Sequence, residues 1–279
     1  MKMFEWDQDE GVELNIPSIN GNGLDVLDVH ATDNALRLAR AEELARDATA
    51  GIEKLREIAG IMASQASDGA SVSFSLNEFD EKSRELIGEV LGRGEVSGHM
   101  SEPQPLNIQE SIFPGLWRVK NLSRSDEPEV VIIADVPLVL RLPASETVDA
   151  NMVIPEDAKD TMNALPVLAE IRDRALSYQS NRENHIINFT LLPMSQQDMD
   201  VLRDTLGAGH IDLVSTGYGA CRVCSTRWPH VWSVQYFNSM DKIILDTLEI
   251  GDIPAVVRAS KEDFHDSAER ILEIIEAYL

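Results

Sequence analysis

Residues 72–119 align without a gap onto 187–234, at an offset of 115. Among the 48 aligned pairs the identities are Phe74/Phe189, Leu76/Leu191, Leu91/Leu206, Gly92/Gly207, Gly94/Gly209, Pro114/Pro229, Trp117/Trp232 and Val119/Val234. Two glycines, a proline and a tryptophan carry more weight than eight matches of common residues would. A slip of two residues then brings Asp135-Val136-Pro137 onto Asp252-Ile253-Pro254 and Arg141 onto Arg258. A period this long is the size of a domain, so the pattern predicts a tandem duplication rather than a solenoid of small repeats.

Both segments carry the same local signals. A β-type run, Val72–Leu76 or Ile187–Leu191, is followed by a helix start with capping spacing: Asn77 before Asp80, Ser195 before Asp198. Gly92 and Gly207 stop those helices, because glycine accepts the left-handed conformation at a helix end. Further β-type stretches follow, ending in Val130-Val131-Ile132-Ile133 and Ile243-Ile244-Leu245. Helical spacing recurs at Leu44, Ala48, Ile52, Leu55, Ala59 and Met62, over about 160–178, and at Phe264, Ala268, Ile271, Ile275 and Tyr278. The expected fold is α+β: two domains, 36–150 and 151–279, each a mainly antiparallel sheet with helices packed against it, related by a pseudo-twofold. Residues 1–35 show no periodicity and hold eight carboxylates against one lysine, which predicts a mobile acidic arm.

Charge narrows the partners. The 48 acidic and 24 basic side chains leave a net charge of −24, which repels phosphate backbones and anionic lipid. No apolar run reaches the ~20 residues a spanning helix needs, and the Met1–Asp7 start has no apolar signal core. These features predict a cytoplasmic protein bound to neither nucleic acid nor membrane.

Chemistry-bearing motifs are few. Gly92-Arg93-Gly94 and Gly207-Ala208-Gly209 follow helices instead of opening them, so they do not aim helix N–H groups at a phosphate. Cys221-Arg222-Val223-Cys224 could be a redox pair or half a metal site. In an extended strand, however, residues three apart face opposite sides. His210 and His230 lie nearby in sequence, but the six histidines show no close ligand spacing.

Between Leu213 and Met240 there is no carboxylate, in a chain where one residue in six is acidic. This stretch carries Gly217, Tyr218, Gly219, Arg222, Arg227, Trp228, His230 and Trp232; the aligned segment carries Phe113, Trp117 and Arg118. Aromatic side chains and arginine are the types enriched at interface hot spots. These eleven residues are candidates for partner binding. A buried central hairpin is the alternative, and for the tryptophans a role as core anchors is the better reading.

At these residues the chain resembles the HupH/HyaF family of hydrogenase expression and formation proteins. The runs that carry the likeness are Leu91–Val96, Ile108–Val119, Met162–Pro166, Thr216–Gly219, His230–Trp232 and Asp252–Val257, with Glu262-Asp263 and Asp266-Ser267. The resemblance covers about residue 70 to the end. It implies a non-enzymatic assembly factor for uptake [NiFe]-hydrogenase, without a cofactor of its own. The implied client is the small-subunit precursor, which carries iron–sulfur clusters and an export signal with paired arginines. A thioredoxin-like HyaE-type companion is a further implied partner, and a homodimer is compatible with the sequence. The family does not require Cys221 and Cys224, which sets a redox or metal-delivery role for that pair apart as an alternative.

Overall fold

The computed structural model describes residues 36–65, 71–124, 129–141, 161–217 and 219–278, together with Met152, Ile154, Pro155 and Ala158. The acidic arm expected over 1–35, and Tyr218, lie outside the described residues.

Contacts divide the chain into two compact units. The first takes its described residues from 36–138 and 257–278, the second from 139–256. In the first unit a helix over 36–45 (α1) leads into α2 (Thr49–Ser64), β1 (Val72–Ser75) and α3 (Glu81–Leu91). An antiparallel meander follows: β2 (Val96–Met100), β3 (Leu106–Glu110), β4 (Leu116–Asn121) and β5 (Val130–Ile133). β1 returns to pair antiparallel with β5, giving the order β1-β5-β4-β3-β2. The second unit runs α4 (Ala164–Asn181), β6 (His185–Asn188), α5 (Gln196–Leu206), β7 (Ala208–Ser215), β8 (Ala220–Thr226), β9 (Val231–Phe237) and β10 (Ile243–Ile250). Its order, β6-β10-β9-β8-β7, repeats that of the first.

Helix boundaries follow local chemistry. Gly92 and Gly207 end α3 and α5 at φ of 54° and 59°, as their spacing predicts. At the other end α5 is capped by Ser195, in a reciprocal box with Asp198. α3 is capped by Asp80, which accepts from the Ser83 N–H, rather than by Asn77. Acid and hydroxyl have exchanged places between the aligned positions 80/195 and 83/198, and either order satisfies the free N–H groups of the first turn.

Each sheet buries one face under helices. In the first unit Leu55, Ile58, Leu86 and Ile87 meet Phe74, Leu116, Val131 and Ile133; in the second Leu168, Ile171 and Leu202 meet Ile187, Phe189, Val231 and Leu248. The last helix, α6 (Lys261–Tyr278), was expected in the second domain but packs in the first unit, with Phe264, Ala268, Ile271 and Ile275 in its core. Helical periodicity says that a segment buries one stripe; it does not say which sheet receives it. The aligned pairs Asp135/Asp252 and Arg141/Arg258 show the same crossing. Arg141 holds Asp252 at 3.1 Å in the second unit, and Arg258 lies 3.9 Å from Asp135 in the first.

Candidate functional site

Phe113 on one side, and Arg227, Trp228 and His230 on the other, fall on two equivalent turns, with Trp117, Arg118 and Trp232 on the strands that follow them. Between β3 and β4, the Ser111 hydroxyl accepts from the Phe113 N–H at 3.1 Å, and the Leu116 N–H closes onto the Phe113 carbonyl. Between β8 and β9, the Thr226 hydroxyl accepts from the Trp228 N–H at 3.1 Å, and the Val231 N–H closes onto the Trp228 carbonyl. A side-chain oxygen two residues ahead is what a Ser/Thr turn requires. The preceding helix anchors each turn alike, through Ile112 N–H to Leu91 O and Arg227 N–H to Leu206 O. Gly94 and Gly209 pass so close to these strands that an added Cβ would fall 2.0 Å from the Ser111 carbonyl oxygen and 2.4 Å from that of Thr226.

The turns differ where they are aligned at 115 and 230. Gly115 takes φ 86° with the Phe264 ring packed where a Cβ would stand. His230 takes φ 64°, a conformation that costs a non-glycine residue about 1–2 kcal/mol. Its side chain is 9% exposed, and its ring sits 4.8 Å from that of Tyr178 on α4. Burial and the neighbouring Arg182 charge push its pKa down, while a hydrogen bond from the ring to the Gly251 backbone works in the opposite direction. The tryptophans diverge too. Trp117 donates from Nε1 to the Ala134 carbonyl at 2.9 Å, whereas Trp232 Nε1 and His230 Nδ1 are buried with no hydrogen-bond partner. A cavity of about 110 Å³ opens here, lined by His210, Ser225, Arg227, Trp228, His230 and Trp232 among others.

Burial separates the ten described candidates. Phe113, Trp117 and Trp232 are core residues, at most 1% exposed, so their aromatic faces are withdrawn from any partner. Arg118 is half-buried and paired with Glu129 at 2.6 Å; Arg222 is half-buried and holds Asp212 through both ends of its fork, at 3.0 and 2.5 Å. A buried hairpin can therefore carry these two arginines by pairing each within the sheet. Gly217, Gly219 and Arg227 are exposed, and Trp228 is half-buried. Gly217 and Gly219 lie at one end of β8 and Arg227 to Trp232 at the other, a separation of roughly 26 Å at ~3.3 Å per residue. The expected single surface from Gly217 to Trp232 is thus two separate ends of one strand. The reason is that the acid-free stretch is acid-free because most of it is sheet interior.

The two thiols behave as strand alternation requires. Cys221 faces Tyr236 and Glu249, and Cys224 approaches Asp212, its Sγ 3.4 Å from Oδ1. Burial pushes the Cys221 thiol up to about 12 and raises Cys224 as well, aided in each case by a neighbouring carboxylate. Protonated thiols on opposite faces are poor nucleophiles and do not chelate one ion. Among the described residues no group of three or more His, Cys, Asp or Glu stands close enough to hold a metal.

Two features have no counterpart in the sequence pattern. An open groove of about 500 Å³ runs along α3, where Arg37, Arg84, Arg93 and Arg118 face Glu81, Glu85 and Glu89. Glu110, at the end of β3, is buried, and desolvation lifts its pKa to about 7. The aligned pairs Ile112/Arg227 and Gly115/His230 are visible differences between the two turns.

The chain is 39% identical over 249 residues to the hydrogenase expression/formation protein HupH of Rhizobium leguminosarum bv. viciae, covering 88% of each. It belongs to the HupH/HyaF family. HoxQ of Cupriavidus necator, another hydrogenase expression/formation protein, is 41% identical over 197 residues, 70% of each chain. The hydrogenase-1 operon protein HyaF of Escherichia coli K12 is 32% identical over 212 residues, 74% of this chain and 73% of that protein. The sequence profile of the C-terminal conserved region of the HupH hydrogenase expression protein matches residues 161–278. A solved structure of the HupH protein from Thiobacillus denitrificans is 27% identical, covers 42% of this chain and 97% of that one, and superposes with a TM-score of 0.39. The HupH/HyaF-like runs Ile108–Val119 and His230–Trp232 fall on the two equivalent turns, and Leu91–Val96 falls on the strand entry that anchors the first.

Proposed function

We propose that this protein is a cytoplasmic, non-enzymatic assembly factor for a [NiFe]-hydrogenase, holding the immature iron–sulfur small subunit before export. The observation that carries this reading is the likeness, over 88% of the chain, to a protein named for hydrogenase expression and formation. We read the scaffold as a duplicated unit, supported by the shared strand order and by turns 115 residues apart that make the same hydrogen bonds. A thioredoxin-like companion fits the same setting as a second partner.

The client surface follows from burial. The second unit exposes Leu191 at 80%, Met240 at 68%, Ile186 at 59% and Ile244 at 57%. β6 pairs with β10 through Asn188 and Thr247, and the Phe189 N–H extends that pairing to the Asp246 carbonyl. Beyond Phe189 the chain turns, with the Leu191 N–H closing onto the Asn188 carbonyl and the Thr190 hydroxyl accepting from the Asp246 N–H at 2.9 Å, so Leu191 follows directly on a residue tied to β10, two positions from Ile244. Apolar side chains at a short edge strand suit an unfinished polypeptide whose own apolar surface is still open. Co-purification with the precursor small subunit tests the role. Binding should be retained by wild type and lost in Leu191→Asp with Ile244→Asp, with circular dichroism unchanged. A double variant that still captures the precursor would remove this surface, and a wild type that never captures it would remove the role.

A further inference from the structure

We propose that the β8–β9 turn of the second unit is a binding site for a small oxyanion, a carboxylate being the simplest case, held by Arg227, Trp232 Nε1 and His230 Nδ1. The inference rests on the geometry of the turn and not on the client reading above.

The comparison between the aligned turns is the main warrant. In the first unit the turn is closed: glycine occupies the left-handed position, a phenylalanine ring fills the space beside it, and the tryptophan N–H is satisfied at 2.9 Å. In the second unit the same backbone frame holds a histidine at φ 64°, and two buried polar atoms lack partners. Buried donors without partners are costly, so a fold that satisfies the tryptophan N–H once and leaves it open the second time points to an acceptor from outside the chain. A backbone outlier that a glycine would remove points in the same direction.

The donor set selects the ligand class. Trp232 and Arg227 can only donate, and Arg227 is exposed at the mouth with its guanidinium across Gly207. The ten residues lining the cavity include no carboxylate, within a chain of net charge −24. The carboxylate that acts on the His230 ring, Asp252, is held by Arg141 at 3.1 Å, and the net negative charge of the chain disfavours anions elsewhere on its surface. His230 completes the set when it takes up a proton: its ring keeps the hydrogen bond to Gly251 and donates from Nδ1. The groups acting on that ring are Tyr178 on α4, Arg182 at the C-terminal end of that helix and Asp252 after β10, while His210 and Arg227 line the same cavity. A volume of about 110 Å³ holds a ligand of a few heavy atoms.

The test follows the indole N–H resonance of Trp232, assigned with Trp232→Phe, in full-length protein titrated with sodium formate and sodium acetate. Sodium chloride at matched ionic strength and acetamide serve as comparators. A saturable shift with formate or acetate, absent with chloride and acetamide, is the expected result, with tighter binding at pH 6 than at pH 8. Arg227→Gln should weaken it at least tenfold. His230→Gly copies the first turn, relieves the left-handed strain and keeps the fold; it should also weaken binding at least tenfold. No saturable shift, or an equal response to acetamide, overturns the oxyanion site. A response unchanged by His230→Gly, or equal at the two pH values, overturns the part assigned to His230.

Discussion

The Trp117 and Trp232 side chains are equally buried, yet one indole N–H is bonded and the other is not. Replacing Trp117 by Phe removes a buried hydrogen bond and leaves the Ala134 carbonyl unpaired, a loss of about 1–3 kcal/mol beyond the volume change. Replacing Trp232 by Phe removes a donor that had no partner. Denaturant unfolding should therefore show Trp117→Phe as the more destabilising by about 1 kcal/mol or more, and equal losses would mean that the Trp232 N–H is satisfied in solution. Glu110 gives a second residue-scale prediction. Burial, with Glu95 and Asp263 adding to it, raises its carboxyl from 4.5 to about 7, while N–H groups of Gly115 and Val96 work against the rise. Its folded pKa exceeds its unfolded one, so its contribution is intact below about pH 4.5 and is lost as pH rises through 7. A tenfold difference in proton affinity between the folded and unfolded chain corresponds to ~1.4 kcal/mol. Glu110→Gln should thus raise the melting temperature at pH 8, by an amount corresponding to roughly 3 kcal/mol, and change it little at pH 4. A gain of the same size at both pH values would assign the effect to packing rather than to ionisation.

Among the elements, α6 separates what the pattern of residues could reveal from what it could not. Its apolar stripe, Phe264, Ala268, Ile271 and Ile275, is plain in the sequence, and all four are buried. Its address is not plain, because the contacts that dock it are three-dimensional: Ser267 donates to the Pro114 carbonyl at 3.1 Å, Arg270 to that of Ile112 at 3.2 Å, and the Phe264 ring fits against Gly115. The glycine stops of α3 and α5, the strand runs and the opposite facing of Cys221 and Cys224 were legible because each depends on neighbours within a few residues. The partner candidates were legible only as residue types. Freedom from carboxylates marks both a hot spot and a sheet interior, and burial alone decides between them for Phe113, Trp117 and Trp232. The docking of α6 yields its own prediction. Phe264→Ala opens a cavity in the first unit and should cost about 3–5 kcal/mol. Gly115→Ala, which pushes a Cβ to within 2.7 Å of the same ring at φ 86°, should destabilise the same region. Hydrogen exchange on either variant should rise first in α6 and the β3–β4 turn, and a rise confined to α4 and β6–β10 would contradict the packing described here.

On the scale of the whole molecule, the net charge of −24 acts at distances that no single contact reaches. A field of this sign draws a basic segment toward the surface before any side chain docks, so its effect belongs to the association rate and is screened over a Debye length of ~8 Å at physiological salt. In the proposed client complex the exposed Leu191 and Ile244 side chains would act after encounter, through the area they remove from water, and would set the dissociation rate instead. The two contributions can be separated in one experiment. Immobilised precursor small subunit, with its paired-arginine export signal intact, should bind at a rate that falls at least tenfold between ~20 and ~300 mM salt, while dissociation changes little. Reversing the acidic residues between positions 5 and 28 should remove most of that salt dependence and leave dissociation unaltered. Leu191→Asp with Ile244→Asp should do the opposite, speeding dissociation while the on-rate keeps its dependence on salt. An association rate indifferent to both salt and charge reversal would show that long-range attraction has no part in client capture, and would leave the exposed apolar margin to account for recognition by itself.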